Sequence, residues 1–143
     1  MKINIIAVGS LTKEYQALYD LYVKKISFFC QINLIEIREV VNDNINLKIE
    51  KETKLILEKI PKNSKVIYLS LHGKTMSSEQ FSSILIEDNL TFIIGGSNGV
   101  IEEFFKNRIC FSEMTFPHQL FRVMLVEQIY RGFAIQKNIK YHK

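Results

Sequence analysis

Two segments in the last third of the chain have the residue types needed to hold a small molecule. Gly95-Gly96-Ser97-Asn98-Gly99 follows the apolar run Leu90-Thr91-Phe92-Ile93-Ile94, and Phe111-Ser112-Glu113-Met114-Thr115-Phe116-Pro117-His118-Gln119 precedes a long helical pattern. Glycines lack Cβ, so their main-chain N–H groups can approach a ligand, or a second loop can pass tightly over them; a plain tight turn is the competing use. Farther on, Arg122, Glu127, Tyr130, Arg131 and the terminal Tyr141-His142-Lys143 supply cations and aromatic rings. These fit a phosphate-contacting edge with Tyr141 stacked on a base. They fit equally a solvated helix surface, on which Glu127 and Arg131 support each other at four-residue spacing for about 0.3–0.5 kcal/mol.

Several other chemistries are excluded by spacing. Gly73-Lys74-Thr75 resembles the end of a P-loop, but the glycine required five residues earlier is Tyr68, inside an apolar run. The glycine cluster at 95–99 has neither the spacing nor the first-strand position of a dinucleotide fingerprint. His72, His118 and His142 are dispersed, with no metal-ligand spacing, so no metal is expected. There is no Gly-x-Ser-x-Gly elbow, and Cys30 and Cys110 read as reduced, separate thiols rather than a nucleophile or a disulfide framework.

The elements that must position these residues alternate in type. Lys2 to Val8 reads as a strand ending on Gly9, Tyr15 to Phe28 as a helix with Leu18, Leu21, Tyr22 and Lys25 or Ile26 on one stripe, and Ile32 to Val40 as a strand. Ile45 to Ile60 is a helix stopped by Pro61, Lys65 to Leu71 a strand, and His72-Gly73-Lys74 its exit loop. Ser77 and Gln80 predict a capping box at the start of a third helix. Leu90 to Ile94 reads as a strand covered on both faces, Ile101 to Arg108 as a short helix, Ile109 to Ser112 as a last strand, and Leu120 to Lys137 as the closing helix. Strands alternating with helices, without a strong hairpin signal, predict an α/β fold with a mostly parallel sheet flanked by helices.

At 143 residues, 47% hydrophobic and 24% charged, the chain fits one folded domain spanning 1–143. A net charge of +4 permits an anionic partner but does not demand one. The apolar run at the N-terminus is too short for a signal peptide, and no stretch approaches the roughly 20 residues of a membrane span, so a cytoplasmic location without membrane contact is expected.

Taken together, Ile94-Gly95-Gly96-Ser97-Asn98-Gly99, Met114-Thr115-Phe116-Pro117-His118-Gln119, Arg122-Val123, Glu127-Gln128-Ile129-Tyr130-Arg131 and Tyr141-His142-Lys143 resemble the large-subunit ribosomal RNA methyltransferase H family. Ala7-Val8-Gly9, Gly73-Lys74 and Ser77-Ser78-Glu79 fall in that family's order, so the resemblance runs the whole length. It implies membership of the SPOUT superfamily, whose parallel α/β domain ends in a C-terminal trefoil knot that binds S-adenosyl-L-methionine in a bent form. Chain topology alone would not suggest a knot. The resemblance further implies a homodimer that methylates N3 of a pseudouridine in 23S rRNA, within the large subunit or whole ribosome, and releases S-adenosyl-L-homocysteine.

Carried over by position, the implied cofactor site is Leu69, Gly95 and the run Phe111, Ser112, Glu113, Met114, Thr115 and Phe116, three strand exits on one sheet edge. The implied substrate-facing group is Arg122, Arg131, Tyr141, His142 and Lys143. Methylation at N3 requires loss of a proton, for which His118, Glu127 and His142 are acceptors and Arg122 and Arg131 electrostatic partners; His118 reads equally as a loop-holding residue. Two positions depart from the family's usual pattern. Ser70 stands where a carboxylate is frequent, leaving Glu113 as a substitute contact to the cofactor ribose, and Thr53 stands where glycine is frequent. Other expectations compatible with the basic face are a non-catalytic RNA- or ribosome-binding module and a transfer RNA methyltransferase; the lack of an added RNA-binding domain argues against the latter.

Overall fold

The computed structural model describes residues 1–143. In chain order it contains β1 (Lys2–Val8), α1 (Lys13–Ile26), β2 (Gln31–Ile37), α2 (Ile45–Lys59), β3 (Lys65–Thr75), α3 (Ser78–Ile84), β4 (Asn89–Ile94), a single 3-10 turn (Glu102–Phe104), β5 (Arg108–Cys110) and α4 (His118–Gln136). The strands form one sheet in the order β2-β1-β4-β3-β5, and every pairing is parallel. An all-parallel sheet opens all its carboxyl ends on one edge, where ligands of open α/β sheets bind.

Both faces of the sheet are covered, as parallel strands require. Every residue of β1 after Lys2 is buried. Ile3, Ile5 and Ala7 point to the face carrying α1, α3 and α4, where they pack with Tyr19, Phe81, Leu125 and Ile129. Ile6 and Val8 point to the other face, with Ile56 of α2, Tyr68, Val100 and Phe105. Each fully buried isoleucine contributes about 1.5–3 kcal/mol, so β1 packs against both layers. The Ser77 capping box forms as expected: Ser77 Oγ accepts from the Gln80 N–H at 3.1 Å and Gln80 Oε1 accepts from the Ser77 N–H at 2.8 Å. No helix is long and apolar enough to cross a membrane.

Four local expectations change. β2 stops at Ile37, three residues early, because the Val40 N–H turns to donate to Glu52 Oε2 at 2.9 Å instead of joining a ladder. The helix expected over Ile101 to Arg108 is one 3-10 turn, after which Arg108 already belongs to β5. α4 begins at His118, two residues ahead of Leu120. On α1, the residues turned inward are Tyr19 and Ile26, while Leu18 and Leu21 from the expected stripe are 46% and 49% exposed.

The largest change is in β3, which does not end at Leu71. Leu69 and Lys74 both pair with Ile109, so residues 70–73 bulge out of the ladder before pairing resumes at Lys74 and continues at Thr75. The bulge turns Ser70, Leu71 and His72 toward the open edge of the sheet. It closes on Gly73, where a Cβ would lie 2.5 Å from the Ile109 carbonyl carbon, so only a residue without a side chain passes there. Gly73→Ala is expected to lower stability in urea denaturation by about 1–3 kcal/mol through this backbone clash. An unchanged midpoint would show that the bulge shifts without cost.

Candidate functional site

At the carboxyl edge of the sheet lies a cavity of about 670 Å³ between the exits of β3, β4 and β5. Leu69 and Gly95 form two of its sides. Phe111, Ser112, Met114, Thr115 and Phe116 form a third, on the segment that leads from β5 into α4. The aromatic part of this wall is braced from behind: Phe111 meets Phe121 at 5.1 Å between centroids and Phe81 edge-on at 5.9 Å, while Phe116 stacks on Phe121 at 6.4 Å. Met114 is 72% exposed at the mouth, its N–H held by Ser112 Oγ at 3.1 Å. Apolar walls with a few polar groups and loop main chain suit a small molecule with an apolar body.

The glycine loop is held from below by α2. Thr53 is buried, donates to the Ile49 carbonyl at 2.7 Å and accepts the Ile101 N–H at 3.0 Å. Glu52 is fully buried; one carboxylate oxygen accepts from Val40, and the other has no partner and abuts Gly96, where a Cβ would sit 2.5 Å from it. Tyr68 lies under the same loop. Burial, and then the charge of Glu102, push its hydroxyl up to about 12, so it stays a neutral phenol.

Glu113, the expected substitute for a carboxylate at position 70, is exposed and does not line the cavity. Glu102 does. Its Oε1 accepts from the Ser70 hydroxyl and its Oε2 accepts from His72 Nδ1–H at 2.9 Å, with Arg108 Nη1 at 3.9 Å. Burial acts to raise its pKa, but the hydrogen bonds from Ser70 and His72 and the nearby charges hold it below the ordinary carboxylate value. The sequence signal for Glu102 was faint: a glutamate just past the glycine loop, in a stretch that read as a helix.

Arg122 does not stand with Arg131, Tyr141, His142 and Lys143, the rest of the expected substrate-facing group, but is buried among strand ends. It is 3% exposed; Nη1 lies 2.6 Å from Glu36 Oε2, and Nη2 donates to the carbonyls of Gly9 at 3.0 Å and Val8 at 3.4 Å. Arg131 is nine residues farther along α4, a half turn round at 3.6 residues per turn, and so faces the opposite side. The guanidinium of Arg122 thus clamps the ends of β1 and β2 beneath a second, polar cavity of about 660 Å³. That cavity adds Arg38 and Gln119 and shares Gly96, Ser97 and His118 with the first.

The remaining expected residues do come together. Arg131 donates to Glu127 Oε1 from Nη2 at 2.6 Å and from Nε at 3.0 Å; the Tyr141 hydroxyl donates to the same oxygen at 3.0 Å, and the guanidinium carbon lies 4.8 Å over the Tyr141 ring. Arg131 Nη1 donates to His142 Nδ1 at 3.1 Å, and His142 Nε2 meets Glu79 at 2.7 Å. Because arginine only donates, Nδ1 accepts and Nε2 carries the proton given to Glu79. Lys143 is exposed beside them. None of this cluster lines the first cavity. No group of three His, Cys, Asp or Glu residues stands together to hold a metal.

The family model described as "Predicted SPOUT methyltransferase" matches residues 1–142. The chain is 75% identical to the ribosomal RNA large subunit methyltransferase H of Metamycoplasma arthritidis, with all of both chains covered. It is 66% identical to the protein of the same name from Mycoplasma mobile and 46% identical to that from Clostridium perfringens, again over the full length of each. Arg122→Ala is expected to lower stability by about 2–4 kcal/mol in urea denaturation, since it removes a buried side chain and leaves the Val8 and Gly9 carbonyls without their donor. Loss of methylation with undiminished stability would instead return Arg122 to the substrate-facing group.

Proposed function

The chain belongs to the SPOUT methyltransferase family, and from that premise we propose that it methylates N3 of a pseudouridine in 23S rRNA, in the large subunit or whole ribosome, using S-adenosyl-L-methionine. The observation that carries this reading is the cavity bounded by Leu69, Gly95 and the 111–116 segment at the carboxyl edge of a parallel sheet. A volume of about 670 Å³ accommodates the cofactor in a bent form, and the apolar walls suit adenine and the methionine chain. When bound, the cofactor supplies an electrophilic methyl group. The protein's own part is to orient the two reactants, keep water out and receive the N3 proton.

For the proton, the hydrogen bonds separate the candidates. Glu127 already takes donors from Arg131, Tyr141 and Gln128. His142 has both ring nitrogens engaged. His118 lines both cavities and has no hydrogen bond of its own in the chain, so it is the residue we assign as proton acceptor. The second cavity, which shares Ile94, Gly96, Ser97 and His118 with the first, is the place we assign to the acceptor base.

The reading includes a homodimer. Its support is the split of the polar groups: the Glu127, Arg131, Tyr141 and His142 cluster does not line the cofactor cavity of its own chain, and Leu18, Leu21 and Met114 leave apolar surface on α1 and at the cavity mouth. A second copy placed on that surface brings one chain's cluster to the other's cavity. The C-terminal trefoil knot belongs to the same proposal, supported by α4 returning from β5, at one end of the sheet order, to the ends of β1 and β2. A cytoplasmic site of action follows from the ribosomal substrate.

Purified protein incubated with methyl-labelled S-adenosyl-L-methionine and ribosomes lacking the modification is expected to place label at one pseudouridine of 23S rRNA. No label from folded protein would overturn the assignment. For the dimer, Thr115→Arg to obstruct the cavity and Arg131→Ala to remove the cluster are each expected to abolish activity. Mixed subunits are expected to recover about a quarter of it, because half the dimers carry one complete site. No recovery on mixing, with exchange verified, would place cluster and cavity in the same chain.

A further inference from the structure

Glu102 is the only carboxylate lining the cofactor cavity, and its surroundings define what it can still bind. A carboxylate has about four lone-pair positions, two on each oxygen. The Ser70 hydroxyl occupies one on Oε1 and the His72 Nδ1–H one on Oε2, which leaves one acceptor position on each oxygen. Ser70 is fixed in this role, because its oxygen accepts the His72 N–H at 2.9 Å and its single proton goes to Glu102. The backbone on either side is held too: Thr53 grips the Ile101 N–H, and the bulge of β3 carries Ser70 and His72.

A ligand that satisfies two acceptors, side by side on one carboxylate, carries two neighbouring donors. Charge decides between the chemistries available. Arg108 already faces Glu102 with a fixed positive charge and His72 takes up the other side as a donor, so an ammonium group would be pushed against an existing cation, whereas neutral hydroxyls add donors without adding charge. Carboxylates hold ribose hydroxyls in other nucleotide sites on the same chemical grounds.

We propose that Glu102, oriented by Ser70 and His72, binds the 2′- and 3′-hydroxyls of the cofactor ribose with its two remaining acceptor positions. The inference rests on the S-adenosyl-L-methionine reading of the cavity. It assigns the sugar to the side of the cavity between β3 and the 3-10 turn, and leaves the 111–116 wall for the base and the methionine chain.

Isothermal titration of wild type and Glu102→Gln with S-adenosyl-L-homocysteine, 5′-methylthioadenosine and 2′-deoxy-5′-methylthioadenosine tests it. Glu102→Gln is expected to weaken the first two ligands alike, by about ten- to a hundredfold, because a charged hydrogen-bond acceptor is lost. The 2′-deoxy compound is expected to bind wild type about tenfold more weakly than its parent, and Glu102→Gln no more weakly than its parent. Unchanged affinities in Glu102→Gln, or indifference of wild type to the 2′-hydroxyl, would overturn the proposal. So would a loss confined to S-adenosyl-L-homocysteine, which would move the contact to the α-ammonium group. The deoxy comparison on wild type needs no substitution, and thermal unfolding follows the fold of the variant. If wild type binds none of the three, the cofactor reading itself fails, an outcome distinct from wild type binding all three and Glu102→Gln matching it.

Discussion

The guanidinium of Arg122 is the contact on which the arrangement of the sheet edge depends. A buried cation is tolerated only when its donors are met, and here they are met by the Glu36 carboxylate and by the carbonyls of Val8 and Gly9. Those partners belong to two different strand ends, so the requirement fixes the first turns of α4 against β1 and β2 together. From that one anchorage the positions of His118 and Gln119 follow, and with Gln119 the start of α1, whose Thr12 N–H it accepts at 2.6 Å. The 111–116 wall is then stretched between β5 and a helix that cannot move away.

The opposite side of the cavity is organised from the other face of the sheet. Glu52 and Thr53, adjacent on α2, reach the β2 exit and the glycine loop, and the same loop lies over the Tyr68 phenol. A fully buried carboxylate with one unpartnered oxygen costs stability. Gly96 makes room for that oxygen by having no side chain. The cavity is therefore gripped by two helices on two faces, with the sheet between them.

Much of this was legible in the residues and some was not, for physical reasons that can be named. The central strands read correctly because burial on both faces leaves an unbroken apolar run, and the Ser77 cap because its hydrogen bonds span only three residues. The exits of β4 and β5 were legible because a strand exit and a loop before a helix are local features, and the structure puts Gly95, Phe111, Ser112, Met114, Thr115 and Phe116, though not Glu113, around one cavity. The β3 bulge was not legible, since it arises from pairing with Ile109, distant in sequence. Arg122 could not be told from a surface arginine, because its partners lie on β1 and β2, while a helical period counts only the residues of α4. Glu102 was missed for a related reason: its function depends on Ser70 and His72 coming alongside. The two departures from the family's pattern, Ser70 and Thr53, turn out to act within one step of Glu102.

The burial of α4 has a bearing on how the chain acquires its structure. The helix buries Arg122, Val123, Leu125, Val126, Ile129, Gly132, Phe133 and Ala134, residues spread round much of its circumference rather than along one stripe. Such a segment gains little from forming alone, and its contacts with β1 and α1 span most of the chain's length, so loop closure is costly before it docks. During synthesis the sheet face that α4 will cover must wait, apolar and open, until the last residues emerge. The interval between translation of β4 and docking of α4 is thus the period in which this protein is most exposed to aggregation and to chaperones.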